Sequence, residues 1–398
     1  MRLTPAVELE YRCKRLQDLM AGQGLNGILI IQNADLFYFA GTTQSGCLYV
    51  PATGQPIYMV RKDFGRARME SGLKEIVPIG SQKEIPSVIA QFGYPEPKLI
   101  GMELDVVPVS VFERYRILYP NARYADATPL VRQVRMIKSH YEIHLMKEAA
   151  DQVHKVYLRA SEVIREGATD LEIAAELEFT ARKAGHQGLV RMRGFNSELF
   201  YGQVFSGADC AVPAYLDAPL GGLGLSPSFG VGAGLKRIER NEPVIVDFVG
   251  CADGYLVDQT RIFAIEGIPD KLRKGYEDMQ AVQRLMIQKA EPGVTWGALY
   301  DECLALAVSL GYGDSFMGAR GAQVSFIGHG VGTEIDEYPF IARGFKDMTL
   351  EVGMAFAFEP KVVFPGEGAI GIENTFYLSN DGLKQLTYSD EKLFILGR

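Results

Sequence analysis

Apolar positions three and four apart over 8–24 predict an amphipathic helix. Short apolar and β-branched runs at 27–31, 46–50 and 56–60 then predict strands. Helical and strand-like segments alternate in this way to about residue 125, the pattern of an α/β unit. A second unit begins near Ser139, where Ser139-His140-Tyr141-Glu142 fits a capping box opening a long helix to about Arg165. The strand-poor run before it sets a boundary near 127–138. Residues 202–234 are rich in glycine and proline and read as a long loop. Long loops in compact domains tend to carry function, so this one is expected to wall a site. Its GVGAG run lacks the G-x-G-x-x-G spacing and follows no predicted strand, which argues against a nucleotide loop. Helices follow at about 271–290 and 296–311, alternating with strands, and there is no internal repeat.

Two apolar stretches break this ordinary pattern. In VIVDFVGCADGYLVDQTRIF (244–263), β-branched runs flank an Asp-Gly pair, the signature of a hairpin. A four-residue loop at 251–254 sets Asp247 directly across from Asp258. Carboxylates facing each other with Cβ atoms ~5 Å apart destabilise a sheet. The arrangement recurs in MAFAFEPKVVFPGEGAIGIENTFYL, where a five-residue loop at 364–368 sets Glu359 opposite Glu373. Buried charges need partners, and two acidic pairs on apolar faces ask for cations.

Composition narrows the class. The 398 residues suffice for two domains with sizeable cores. A net charge of −8 provides no basic footprint for nucleic acid. The amphipathic, charged start lacks the apolar segment of a signal peptide, and runs such as GILII are too short to span a bilayer. The five cysteines are scattered, with no CxxC pair, which suits a reducing compartment and a cytoplasmic protein.

Of the five histidines, His329 alone stands between glycines, in IGHGVG, where the backbone allows close approach. His140, His144, His154 and His186 read as surface or packing residues. Asp247, Asp258, Glu359, Glu373 and His329 together supply four carboxylates and an imidazole, the donor set of two adjacent divalent ions. Oxygen-rich ligation with one nitrogen suits Mn, Co, Zn or Fe. Two such ions ~3.5–4 Å apart activate a shared water.

These motifs resemble the pita-bread metallopeptidases, the family of methionine aminopeptidase, prolidase, aminopeptidase P and the metal-free creatinase. Asp247…Gly254-Tyr255…Asp258-Gln259-Thr260-Arg261 is similar to their D…GY..D.TR hairpin, and Gly328-His329-Gly330-Val331-Gly332 to their GHG.G. Glu359-Pro360 with Glu373 matches the closing EP…E pair, and NADLFYFAG (33–41) resembles the N-terminal domain of the creatinase type. The resemblance implies an α/β creatinase-like domain over 1–130 and an α+β pita-bread catalytic domain over 139–398. It implies that Asp247 chelates one ion, that Asp258 and Glu373 bridge, and that His329 and Glu359 bind the second. Glu359 would also shuttle a proton from water to the leaving amine, and the protein would be a homodimer.

The chain departs from the family in three places. Asp336 stands where a second histidine follows the metal histidine, Gly230 where another precedes the first aspartate, and Gly371 where prolidases carry arginine. An ionised aspartate cannot donate to an oxyanion, so Asp336 is expected to contact substrate without serving as that donor. Tyr338 or Arg191 would be the alternative donor. The leading expectation is a two-metal hydrolase of peptide or amide bonds, similar to Xaa-Pro dipeptidase or aminopeptidase P. Two alternatives stand beside it: a metal-dependent enzyme, hydrolase or lyase, acting on a non-peptide, amine-bearing metabolite, and a non-catalytic binding module.

Overall fold

The computed structural model describes residues 2–397. The chain divides into two compact units, Met1–Arg135 with Arg193–Asn196, and Met136–Met192 with Ser197–Arg398. The first unit is built on a six-stranded mixed sheet. Its central strand, Gly27–Ile30, runs antiparallel to Gly46–Pro51 and parallel to Leu99–Met102. Side-chain alternation sends Ile28 and Ile30 into one core with Leu9, Leu16 and Met20 of the first helix, Ala6–Ala21. Leu29 points to the opposite core, with Ile85, Ile89 and Tyr115. Buried beside this sheet, Asp35 pairs with Arg135 at 2.5 Å and Arg193 at 2.8 Å.

The second unit opens on the helix His140–Val163, capped as its sequence requires. Ser139 Oγ accepts from the Glu142 amide at 3.2 Å, and Glu142 Oε2 accepts from the Ser139 amide at 2.8 Å. This helix lies directly on the strand Val244–Ala252, closely enough that a Cβ at Gly250 would stand 2.3 Å from the Ala149 carbonyl oxygen. The strand belongs to a four-stranded sheet, ordered Phe394–Leu396, Tyr255–Ile265, Val244–Ala252, Gly202–Ser206. A five-stranded sheet runs Ile335–Ala342, Phe326–Val331, Ala355–Phe358, Asn374–Ser379, Gly382–Gln385. A separate short ribbon pairs Lys361–Phe364 with Gly368–Gly371. No helix among the described residues is long and apolar enough to cross a membrane.

Two expectations change here. Residues 202–206 form a strand rather than the start of a loop, because Val204 and Phe205 are buried and the ladder to Val246 and Ile245 satisfies their backbone. The first hairpin turns on two residues, not four. Ala252 pairs with Tyr255, and Asp253 and Gly254 hold φ of 45° and 86°, as a tight hairpin turn demands. Asp247 therefore faces Thr260, and Asp258 faces Val249. The second register is as expected: Phe364 pairs with Gly368, and Phe358 with Asn374 continues the same offset past the break at Glu359-Pro360.

Candidate metal centre

The five residues singled out by the sequence meet in one cleft of about 200 Å³ in the second unit. Asp247 and Asp258 share a face of the hairpin as diagonal neighbours. His329 enters from Phe326–Val331, which pairs with the strand leading to Glu359. Gly328 allows that pairing, since a Cβ there would lie 2.6 Å from the Ala357 carbonyl oxygen, and Gly330 allows the one with Ile335–Ala342, where a Cβ would lie 2.3 Å from the Tyr338 carbonyl oxygen. Glu373 arrives beside Thr260, whose hydroxyl donates to Glu373 Oε2 at 2.7 Å. Behind it, fully buried Arg261 donates to the Glu373 carbonyl at 2.9 Å and the Asn374 side-chain oxygen at 2.8 Å. His329 Nε2 lies 3.8 Å from both Glu359 Oε1 and Glu373 Oε1.

Asp336 lies on the cleft wall, where its carboxylate comes within 3.4 Å of His329 Nδ1. Its backbone is left-handed, φ 62°. That turn is fixed by Glu337, whose Oε1 accepts from the Thr333 and Glu334 amides while Oε2 meets Lys138 Nζ at 3.3 Å. Tyr338 does not line the cleft, and its ring packs against Trp296, Phe340 and Phe345. The Arg191 carbonyl accepts from the Ile335 amide. The wall predicted from the Gly/Pro-rich segment is present, formed by Leu216, Asp217, Ala218, Pro219 and Leu220. His186 is buried, against Tyr201 at 4.5 Å, and His154 contacts Ser389 and Tyr388, so both pack rather than ligate.

One residue was not anticipated. Lys361, 2% exposed, places Nζ at 2.5 Å from Glu359 Oε2, 3.0 Å from Glu373 Oε2 and 3.6 Å from Asp247 Oδ2. A lysine directly after the EP pair reads as an edge-strand surface residue. Its register partner, Gly371, was the available clue.

Charge state follows from this crowding. Burial pushes the Asp258 carboxyl well above its usual range, and repulsion from Glu373 and Asp247 adds to it. Burial also raises Asp247 to about 6 and Glu359 to about 7, with the Lys361 ammonium opposing in both cases. Glu373 goes the other way. Burial would raise it, but Lys361 and His329 outweigh that and hold it at about 2. His329 is lifted to about 10 against its own burial by Glu373, Asp336 and Glu359.

The donors fit one divalent ion. Asp258, His329 and Glu373 each present a ligand atom, all within 4.8 Å of one another, and all three residues are buried. An imidazole with two carboxylates is a donor set for Mn, Fe, Co or Zn. On the other side of Glu373, Asp247 and Glu359 converge on Lys361.

Known proteins bear on this centre. The model of metallopeptidase family M24 matches residues 144–380, and that of the creatinase/prolidase N-terminal domain matches 12–137. The Xaa-Pro dipeptidase of Pyrococcus furiosus is 26% identical over 387 residues, covering 97% of this chain and all of the relative. A solved Xaa-Pro dipeptidase from Bacillus anthracis superposes with a TM-score of 0.81 at 27% identity, over 98% of this chain and 100% of its own. The X-Pro aminopeptidase of Thermotoga maritima superposes at 0.77 with 25% identity, over 94% and 98%.

Proposed function

Because the chain belongs to metallopeptidase family M24, we propose that it is a metal-dependent hydrolase of peptide or amide bonds, with Xaa-Pro dipeptides as its leading substrate class. The observation that carries this reading is the convergence of Asp258, His329 and Glu373 within ligand distance, with Glu359 beside them in an open cleft. Residues 1–130 would be the creatinase-like domain and 139–398 the catalytic one. The five buried free cysteines suit a reducing, cytoplasmic setting. A homodimer rests on the family resemblance, and Mn, Co, Zn and Fe are the candidate metals. A complement of two ions requires Asp247 and Glu359 to be released by Lys361.

A divalent ion held by Asp258, His329 and Glu373 would supply Lewis acidity and make its water acidic near neutral pH. The protein's own groups prepare the rest. Glu359, beside that site, is the residue placed to take a proton and return it to a leaving amine. Asp336 and the Gly330 carbonyl both lie 3.4 Å from His329 Nδ1, which leaves Nε2 turned toward the carboxylates. Asp336 supplies no donor to developing negative charge, so turnover of simple Xaa-Pro dipeptides is expected to fall below ~10⁴ M⁻¹s⁻¹.

The acidic mouth formed by Asp217 and Asp336 favours a second substrate class, a non-peptide metabolite bearing an amine. A dipeptide library, offered to chelator-stripped protein reloaded with Mn, Co, Zn or Fe, tests the reading. Cleavage of Xaa-Pro members that stops on chelation is the expected result. No cleavage of any peptide with any metal would overturn the peptidase assignment.

A further inference from the structure

We infer that Lys361 is a built-in cation standing where the second divalent ion of a two-metal centre would sit, so that this chain binds a single metal ion. The inference rests on the metal-binding reading of Asp258, His329 and Glu373 and concerns what lies on the other side of Glu373.

Geometry carries it first. The ammonium is within salt-bridge distance of three carboxylates from three different segments: Asp247, Glu359 and Glu373. Asp247 and Glu373 are two of the residues that an ion chelated by Asp247 would need, and Lys361 holds both. Carboxylate-to-metal distances are ~2.0–2.2 Å, whereas an ammonium sits at hydrogen-bonding distance, about 2.7–2.9 Å. Glu359 and Glu373, at 2.5 and 3.0 Å, are spaced around Nζ as hydrogen-bond acceptors.

The backbone explains how the lysine reaches this point. Lys361 and Gly371 are direct partners across the ribbon. A Cβ on Gly371 would stand 2.5 Å from Lys361 Cγ, so a side chain at 371 and the buried lysine stem compete for one space. Position 371 is the one where a prolidase-type arginine was expected. In this chain the positive charge at this pair of positions comes from Lys361 and ends among the carboxylates. The strand is pinned at this point, because the Lys361 carbonyl accepts from the Met317 amide at 2.8 Å and its own amide points to Met317 Sδ at 3.4 Å.

Charge balance agrees. Asp247, Asp258, Glu359 and Glu373 carry four negative charges when ionised, which two divalent ions alone would cancel. With Lys361 present, one divalent ion leaves a single negative charge, and a second ion would turn the cluster positive while meeting the ammonium at close range. Like charges a few ångströms apart in a buried site repel by several kcal/mol.

The test counts ions. Full-length protein stripped with a chelator is titrated with Co(II) and with Mn(II), and bound metal per chain is measured by elemental analysis after gel filtration. The Co(II) visible spectrum reports coordination. The wild type is expected to hold one ion per chain, and Lys361→Met, which keeps the volume and removes the charge, to hold two. Circular dichroism checks its fold, and Lys361→Ala serves if the methionine variant does not fold. Two ions in the wild type, or one in each folded variant, would overturn the role of Lys361 while leaving the metal-binding reading intact. No bound ion in any form would instead overturn that reading and this inference with it.

Discussion

Asp336 and His329 meet at 3.4 Å, carboxylate oxygen to Nδ1, on the side of the ring away from Glu359 and Glu373. The position where the family resemblance placed a second histidine thus holds a residue that acts on the first. Partners of this kind orient a ligating imidazole, and their loss typically costs 10–100-fold in metal affinity. Asp336→Ala is expected to weaken Co(II) binding by about that factor without unfolding the protein. An unchanged affinity would mean that the contact orients nothing.

Glu359 is the candidate proton shuttle, and Glu359→Gln separates that role from folding. Removing a general base costs ~10²–10⁴-fold in rate. The amide keeps most of the volume beside Lys361 and removes the charge. Turnover is expected to drop by at least that range with thermal unfolding little changed. Activity within a few-fold of wild type in metal-replete buffer would exclude the role.

The site was more legible in the sequence than the register that builds it. Placing a four-residue loop at 251–254, where the chain makes a two-residue turn, moved the pairing by two positions. A slip of one would have sent every side chain to the other face, but a slip of two preserves the face. Asp247 and Asp258 therefore still converge. The strand Gly202–Ser206 was hidden by the polar residues around Val204 and Phe205, and only its pairing with Val244–Ala252 reveals it. Lys361 was missed because nothing local marks a lysine as buried. Its environment is made by Asp247, Glu359 and Glu373, and by the missing side chain at Gly371.

Arg261 holds the metal-bearing strands from behind. Its guanidinium donates to the carbonyls of Thr260, Glu373, Ser389 and Asp390 and to Asn374 Oδ1, at 2.7–2.9 Å. Arg261→Met would leave several buried acceptors without partners, at ~1–3 kcal/mol each and not additively. A loss of about 3–5 kcal/mol is expected, read as a lower urea midpoint. A loss below about 1 kcal/mol would show that the segment 389–390 is held by other contacts.

His186 is 2% exposed, and its Nδ1 accepts from the Gly188 amide at 2.9 Å. Burial, with the nearby Arg182 guanidinium, lowers the ring to about 4 from 6.5. Above pH 6.5 the ring is neutral in folded and unfolded chains alike, and it contributes nothing to the slope. As pH falls from 6.5 toward 4 the unfolded chain takes up a proton that the folded one refuses, so stability is lost through this window. The full loss is on the order of 3 kcal/mol, because each pH unit separating the folded from the unfolded ring's pKa is worth about 1.36 kcal/mol. Asp170 works in the opposite direction over part of the same range. Burial raises its carboxyl to about 6, so its contribution to stability is present at low pH and is lost as pH rises through about 6. The wild-type profile alone therefore does not isolate the histidine. Urea unfolding at pH 7, 6, 5 and 4.5 should be compared between wild type and His186→Gln, which retains an acceptor for the Gly188 amide. The variant is expected to lose less stability than wild type between pH 6.5 and 4.5, whatever its absolute stability at pH 7. Parallel profiles would show that the buried ring is protonated as readily in the folded protein as in the unfolded chain.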